Sequence, residues 1–131
     1  MRKTVSPVLD ENIESVQQVF KGDKTLKHHR FQPAAVSGFR CCMFFIDGMV
    51  DSIRINESII QPICTLTRAP SDCADRVNYL RQQVLQVNET QTESQYENLF
   101  RALLYGDTIL FVEGSAKALI LGSKGFEKRG I

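Results

Sequence analysis

Gly38-Phe39-Arg40-Cys41-Cys42-Met43-Phe44-Phe45-Ile46-Asp47-Gly48 is the stretch that decides the fold. Successive residues of a strand point to opposite faces, and here both alternating sets turn apolar from Cys41 to Ile46. A strand of that kind is central in its sheet and covered on both sides. Asp47-Gly48 stops it with a pair suited to positive φ. Upstream, Thr25 to Phe31 forms a polar, basic segment that reads as a further strand, bounded by the Gly22-Asp23-Lys24 turn and by Gln32-Pro33. Downstream, Ile53, Asn56, Ile60 and Cys64, with Ile59 and Ile63 beside them, suit a helix that begins at Asp51 or at Asn56 and whose continuation Pro62 limits.

Toward the N-terminus, Ile13, Val16 and Phe20 recur at helical spacing behind Asp10, which is placed to cap, and Gly22 is available to end the helix. Beyond Ala69-Pro70, the capping residues Ser71-Asp72 precede a second helical face of Ala74, Val77, Leu80 and Val84, although Val84, Leu85 and Val87 also suit a short strand. Asn88 to Ser94 is polar. Tyr96, Leu99, Phe100, Leu103 and Leu104 then line one side of a helix ended by Gly106. Asp107 to Val112 and Ala116 to Leu121 are apolar runs joined by Glu113-Gly114-Ser115, the pattern of an antiparallel hairpin. The fold class that follows is α/β: a mixed sheet with helices packed on it and a C-terminal β-hairpin.

A length of 131 residues with 43% apolar content suits one domain, and residues 1–131 read as a single soluble unit undivided by repeats or low-complexity linkers. Lysine and arginine number 16 against 15 acids, so no net field draws nucleic acid or an anionic membrane to the chain. No run approaches the roughly 18 consecutive apolar residues of a spanning helix. Arg2 and Lys3 have no apolar stretch behind them, so the N-terminus does not read as a secretory signal, and the expected compartment is the cytosol.

Cys41, Cys42, Cys64 and Cys73 lack the spacing of a metal site and read as reduced thiols. His28 and His29 are neighbours and point to opposite faces of an extended segment, so they cannot form one two-histidine site. A Cys–His nucleophile pair drawn from these residues lacks an orienting third group, and its thiols lie in an apolar run. No catalytic residue, cofactor or metal site is expected.

Two motifs carry a resemblance. The first is Phe45 to Asp51 followed by Ile55-Asn56-Glu57-Ser58-Ile59-Ile60-Gln61-Pro62-Ile63. The second is Leu104 to Gly114, followed by Ala118-Leu119-Ile120 and Gly125-Phe126-Glu127-Lys128-Arg129. In order and separation they resemble the A subunits of GerA-type spore germinant receptors over about residues 24–131. Departures are mild: Phe45 stands where that family often has tyrosine, Glu113 where it often has aspartate, Phe126 where it often has tryptophan, and Gly130 where it often has serine.

The resemblance implies the N-terminal, cytoplasmic-side portion of a longer receptor subunit of the spore inner membrane, touching the membrane only through segments outside this chain. The implied partners are B-type and C-type receptor subunits, with no nucleic acid, and the implied role is subunit interaction and signal transmission. An alternative is a module that binds the germinant itself, an amino acid, sugar or nucleoside, in a crevice beside Asp47-Gly48. A small cytosolic enzyme is the weaker alternative. The motif residues Asp47, Gly48, Asp51, Asn56, Pro62, Gly106, Asp107, Gly114 and Arg129 read first as caps and turns, with a ligand role open. Self-association is a further expectation, through an edge left open beside the last hairpin.

Overall fold

Cys41–Ile46 is indeed a central strand. In the computed structural model, which describes residues 3–69, 76–85, 87 and 89–122, the chain forms a five-stranded sheet in the order β1-β2-β4-β5-β3. The strands are β1 Leu26–Phe31, β2 Cys41–Ile46, β3 Thr90–Glu93, β4 Thr108–Val112 and β5 Ala118–Leu121. The α/β class and the C-terminal hairpin are as expected. The four pairings, however, are all antiparallel rather than mixed in direction.

Helices cover both faces, as the double apolar alternation of β2 requires. On one face Cys42, Phe44, Ile109, Phe111 and Ile120 pack against α1 (Leu9–Val19) and α5 (Tyr96–Tyr105). On the other, Cys41, Met43, Leu110, Val112 and Leu119 pack against the helical segments between β2 and β3. Each fully buried large apolar side chain contributes about 1.5–3 kcal/mol. Phe111 links the elements of the first face, meeting Phe44 edge-on at 6.0 Å and Tyr96 at 6.4 Å between ring centroids.

Between β2 and β3 the chain runs through α2 (Ser52–Ile55), a π-helical turn (Asn56–Ile60) and α3 (Gln61–Cys64) without a break. Asp51, not Asn56, starts it: its carboxylate accepts the N–H groups of Ile53 at 2.9 Å and Arg54 at 3.4 Å. Pro62 has no N–H, and its ring crowds the carbonyl four residues back; the wider π turn just ahead of it relieves that clash. The helix ends soon after, at Thr65. The second segment holds α4 (Arg76–Tyr79) and a π-helical turn, Leu80–Val84, after which Leu85 is extended. The Ser71-Asp72 cap expected before it lies outside the described residues.

Three expectations need correction. Asp10 does not cap α1; it sits exposed within the first helical turn, because the helix begins at Leu9. The alternative that put Val84, Leu85 and Val87 in a strand does not hold, since none of the three is in one; the polar Thr90–Glu93 is a strand, and it pairs with β5 from Thr90↔Leu121 to Glu93↔Ala118. That pairing also closes the edge of the last hairpin, so the open edge on which self-association was expected does not exist there. The outer strands of the sheet are β1 and β3.

The segment before α1 is fastened from several sides. Val5 N–H donates to Ser94 C=O at 2.8 Å, and Tyr96 N–H donates to Lys3 C=O at 3.0 Å. Asn12, fully buried in α1, accepts the Ser6 N–H at 2.8 Å and the Tyr96 hydroxyl at 2.5 Å, while its amide donates to Ser6 C=O at 2.7 Å. A buried amide is tolerated only when satisfied in this way.

Candidate functional site

The turn glycines of the two motifs, Gly48, Gly106 and Gly114, fall at the two ends of the sheet. At one end, β2 runs into the Asp47-Gly48 turn, where Gly48 has φ +89° and Asp47 N–H donates to Thr25 C=O at 2.7 Å. At the same end α5 closes on Gly106, which has φ +109°, before β4 begins. Gly106 N–H donates to Leu103 C=O at 3.0 Å and Asp107 N–H to Ala102 C=O at 2.9 Å, which satisfies the last carbonyls of the helix. A Cβ on Gly106 would lie 3.2 Å from Met49 Cε. The two motif segments, distant in sequence, therefore meet where Met49 packs over Gly106.

Both residues of the Asp47-Gly48 turn are solvent-exposed, and a Cβ on Gly48 would meet nothing within 4 Å. The crevice expected there is an open turn. A polar cavity of about 360 Å³ instead lies toward β3, bordered by Glu89, Thr90, Gln91, Asp107, Ile120 and Gly122. Asn56 is exposed, and its carbonyl accepts Gln61 N–H within the π turn. Asp51 and Pro62 act as cap and helix-shaping residue. Arg129 lies outside the described residues.

Gly114 sits at the opposite end, beside a clasp that sequence reasoning missed. The Glu113 carboxylate accepts Leu9 N–H at 2.8 Å and an Arg40 Nη at 2.6 Å. Its backbone N–H donates to Arg40 C=O at 2.8 Å, and its carbonyl accepts an Arg76 Nη at 3.0 Å. Arg76 also donates to Gly38 C=O at 2.8 Å and lies 4.9 Å from the Phe39 ring centroid. Gly114, with φ +90°, donates its N–H to Pro7 C=O at 2.7 Å. One hairpin turn thus holds the start of α1, the start of β2 and the start of α4.

The electrostatics follow the geometry. Partial burial alone pushes the Glu113 carboxyl up, but the bonds from Arg40, Leu9 and Gly114 outweigh it and hold it below the usual glutamate value. The hydrogen bond to Glu113 raises Arg40 in turn. The only signal for this clasp in the sequence was an acid beside the hairpin glycine, on a position where the resembling family prefers aspartate.

Cys41 and Cys42 are buried, and burial pushes both thiols up, Cys42 to about 12, so they remain protonated rather than nucleophilic. Cys41, Cys42 and Cys64 are free thiols, and Cys73 lies outside the described residues. His28 packs beside Phe44, 5.7 Å between ring centroids, on the α1/α5 face. Among the described residues no cluster of His, Cys, Asp and Glu could hold a metal ion, and no helix is long and apolar enough to cross a membrane.

Fold and site together define an α/β/α module whose motif residues are turn glycines, helix caps and an ion-pair clasp. The chain belongs to the GerA family: the family model for the Bacillus/Clostridium GerA spore germination protein matches residues 14–131. This is a family of germination proteins rather than a known enzyme family. Among curated relatives, the chain is 24% identical to spore germination protein KA of Bacillus subtilis over 97% of its length, which is 23% of that protein. It is 27% identical to the membrane protein YfkQ of the same organism, over 98% of the chain and 24% of the relative. The chain thus spans about a quarter of the length of these relatives. Its fold is that of the N-terminal domain of the A subunit of the Bacillus megaterium spore germinant receptor GerK3, with TM-score 0.66, 17% identity, and coverage of 92% of this chain and 95% of that one.

Proposed function

We propose that this chain is the N-terminal, cytoplasmic-side module of a germinant receptor A subunit, and that it acts by contacting other receptor subunits and passing a signal between them. In the full-length protein it is held at the spore inner membrane by segments outside residues 1–131. The observation that carries this reading is Leu104, a motif residue on α5 that is 65% exposed, next to Tyr105 at 64%. The helical pattern placed Leu104 on the buried side; it is instead presented outward, at the rim of an open groove of about 570 Å³ between α5 and β3. Adjacent large apolar side chains exposed at the rim of a groove support a contact site there.

Photo-crosslinking from position 104 of the full-length subunit in spores tests the proposal. Adducts to other receptor subunits are the expected result. An absence of adducts, together with normal germination of a Leu104→Glu strain, overturns it.

A second reading, direct binding of a small germinant, is favoured by the polar cavity that contains the motif residue Asp107. A thermal-shift panel of amino acids, sugars and nucleosides tests it, since a ligand at 100 times its Kd stabilises by about 2.7 kcal/mol.

A further inference from the structure

Between Asp23 and Asp47 the chain carries Lys24, Lys27, Arg30, Arg40, His28 and His29 and no acidic residue, although bases and acids nearly balance over the whole molecule. Most of this local excess lies on or beside β1, an outer strand of the sheet on which Lys27, His28, His29 and Arg30 are all exposed. The acids that reach it come from elsewhere: Asp10 lies 3.9 Å from Arg30 and 3.8 Å from Arg40, and Glu113 holds Arg40 at 2.6 Å. Lys27 has no ion-pair partner among the described residues.

The backbone register shows what this edge offers. Asp47 N–H bonds the C=O of Thr25 directly opposite it at 2.7 Å, while Thr25 N–H turns to the Asp23 carboxylate, so the ladder begins in hydrogen-bonding register at this pair. Such pairs alternate along an antiparallel ladder, which makes Lys27–Phe45, His29–Met43 and Phe31–Cys41 the bonded pairs. The N–H and C=O groups of His28 and Arg30 therefore point away from the sheet. Among the described residues no further strand pairs with this side of β1, and an open row of this kind is a template for another strand.

We propose that the outer edge of β1 docks an acidic, extended segment of a partner protein, which joins the sheet as an added strand. Charge selects the occupant. A second copy of β1 sets basic residues against basic residues, which is destabilising, whereas carboxylates on the incoming strand face Lys27 and His29 on one side of the sheet and His28 and Arg30 on the other. A membrane surface would meet only one of those sets. At the end of the strand a cavity of about 220 Å³, floored by Leu9, Phe31 and Cys41 and rimmed by Arg30, Gln32 and Arg40, receives one side chain of the added segment.

The proposal rests on the interaction-module reading only in taking a protein as the partner. Crosslinking from Leu104 probes the side of the molecule next to β3, so the two ideas fail separately. The test is a titration of the isotope-labelled chain with a peptide of about ten residues that alternates glutamate with valine or threonine, at the upper end of ordinary strand lengths and long enough to cover the 6 residues of β1. The expected result is saturable NMR shifts along Leu26–Phe31, amide exchange at His28 and Arg30 slowed at least tenfold, and at least tenfold weaker binding to a Lys27→Glu/Arg30→Glu variant whose spectrum elsewhere is unchanged. Three outcomes overturn the proposal: no shifts on β1; equal binding by the same peptide with its backbone N-methylated, which leaves charge but removes the strand's donors; or shifts on β1 caused by phosphatidylglycerol vesicles and not by the peptide.

Discussion

The Glu113 carboxylate accepts the backbone N–H of Leu9 at 2.8 Å, so the first turn of α1 is capped by a side chain 104 positions away. Helix starts are ordinarily capped from within their own sequence, by a Ser, Thr, Asp or Asn just before the first turn. Here Val8 occupies that position without a side-chain cap, and the hairpin supplies the acceptor and a negative charge at the positive end of the helix.

Glu113→Ala therefore removes both a cap and the ion pair to Arg40. The expected loss is about 1–3 kcal/mol, most of it from the cap, because the Arg40 side chain is 42% exposed and its pairing is screened by solvent. Denaturant melts of the variant and of Arg40→Ala separate the two contributions. Equal losses in both would assign the stabilisation to the ion pair instead.

The same carboxylate makes stability depend on pH. Its folded-state pKa lies below the unfolded value, so the folded state binds fewer protons between the two. The contribution is complete above the ordinary glutamate value of about 4.3 and is lost as pH falls through the depressed one. Glu93 adds a contribution of the same sign, its carboxyl lowered chiefly by the Gln95 N–H at the start of α5. A Glu113→Gln variant is expected to show a shallower fall in stability below about pH 4.5 than the parent; parallel curves would rule out Glu113 as a source of the acid sensitivity.

Gly48, Gly106 and Gly114 all adopt positive φ, and valine at any of them is expected to lower the melting temperature. The backbone cost is about 1–2 kcal/mol at each. Gly106→Val is expected to lose more than Gly48→Val, since only Gly106 has Met49 within contact distance of the added side chain. Circular dichroism melts check the ranking, and Met49→Ala should narrow the gap.

Asn12 holds Ser6 and Tyr96 in a buried cluster. Asn12→Leu leaves the Ser6 N–H and C=O without their side-chain partner and is expected to cost about 2–4 kcal/mol, against about 1 kcal/mol for Tyr96→Phe, which keeps both Ser6 bonds. Similar losses in the two variants would place the stabilisation in the Tyr96 hydroxyl rather than in the tie to the N-terminal segment.

Thiol labelling gives a further check. Cys41 and Cys42 are expected to react with a thiol reagent only on unfolding, while Cys64, partly exposed on α3, reacts before them in the native protein. Rapid native labelling of Cys42 would contradict its burial between β2 and the α1/α5 layer.

The amino-acid order by itself determined the elements that carry dense local signals. The two-sided apolar run of β2, the β4–β5 hairpin, the apolar faces of α1 and α5, and the glycines at Gly48, Gly106 and Gly114 depend on side-chain period and backbone freedom, which nearby residues specify. Only the tertiary structure decided the rest. Thr90–Glu93 is a strand because the open side of β5 supplies its hydrogen bonds, and no apolar pattern announces that. Leu104 fits a helical apolar stripe, yet the sheet reaches only part of α5 and leaves that residue outside. Motif residues that look like one group in the sequence are split between the sheet's ends because the antiparallel β4 places Gly106 before its first residue and Gly114 after its last. The Glu113 cap has no signature near α1: its donor and acceptor become neighbours only when α1 packs beside β4, bringing Leu9 to the hairpin turn.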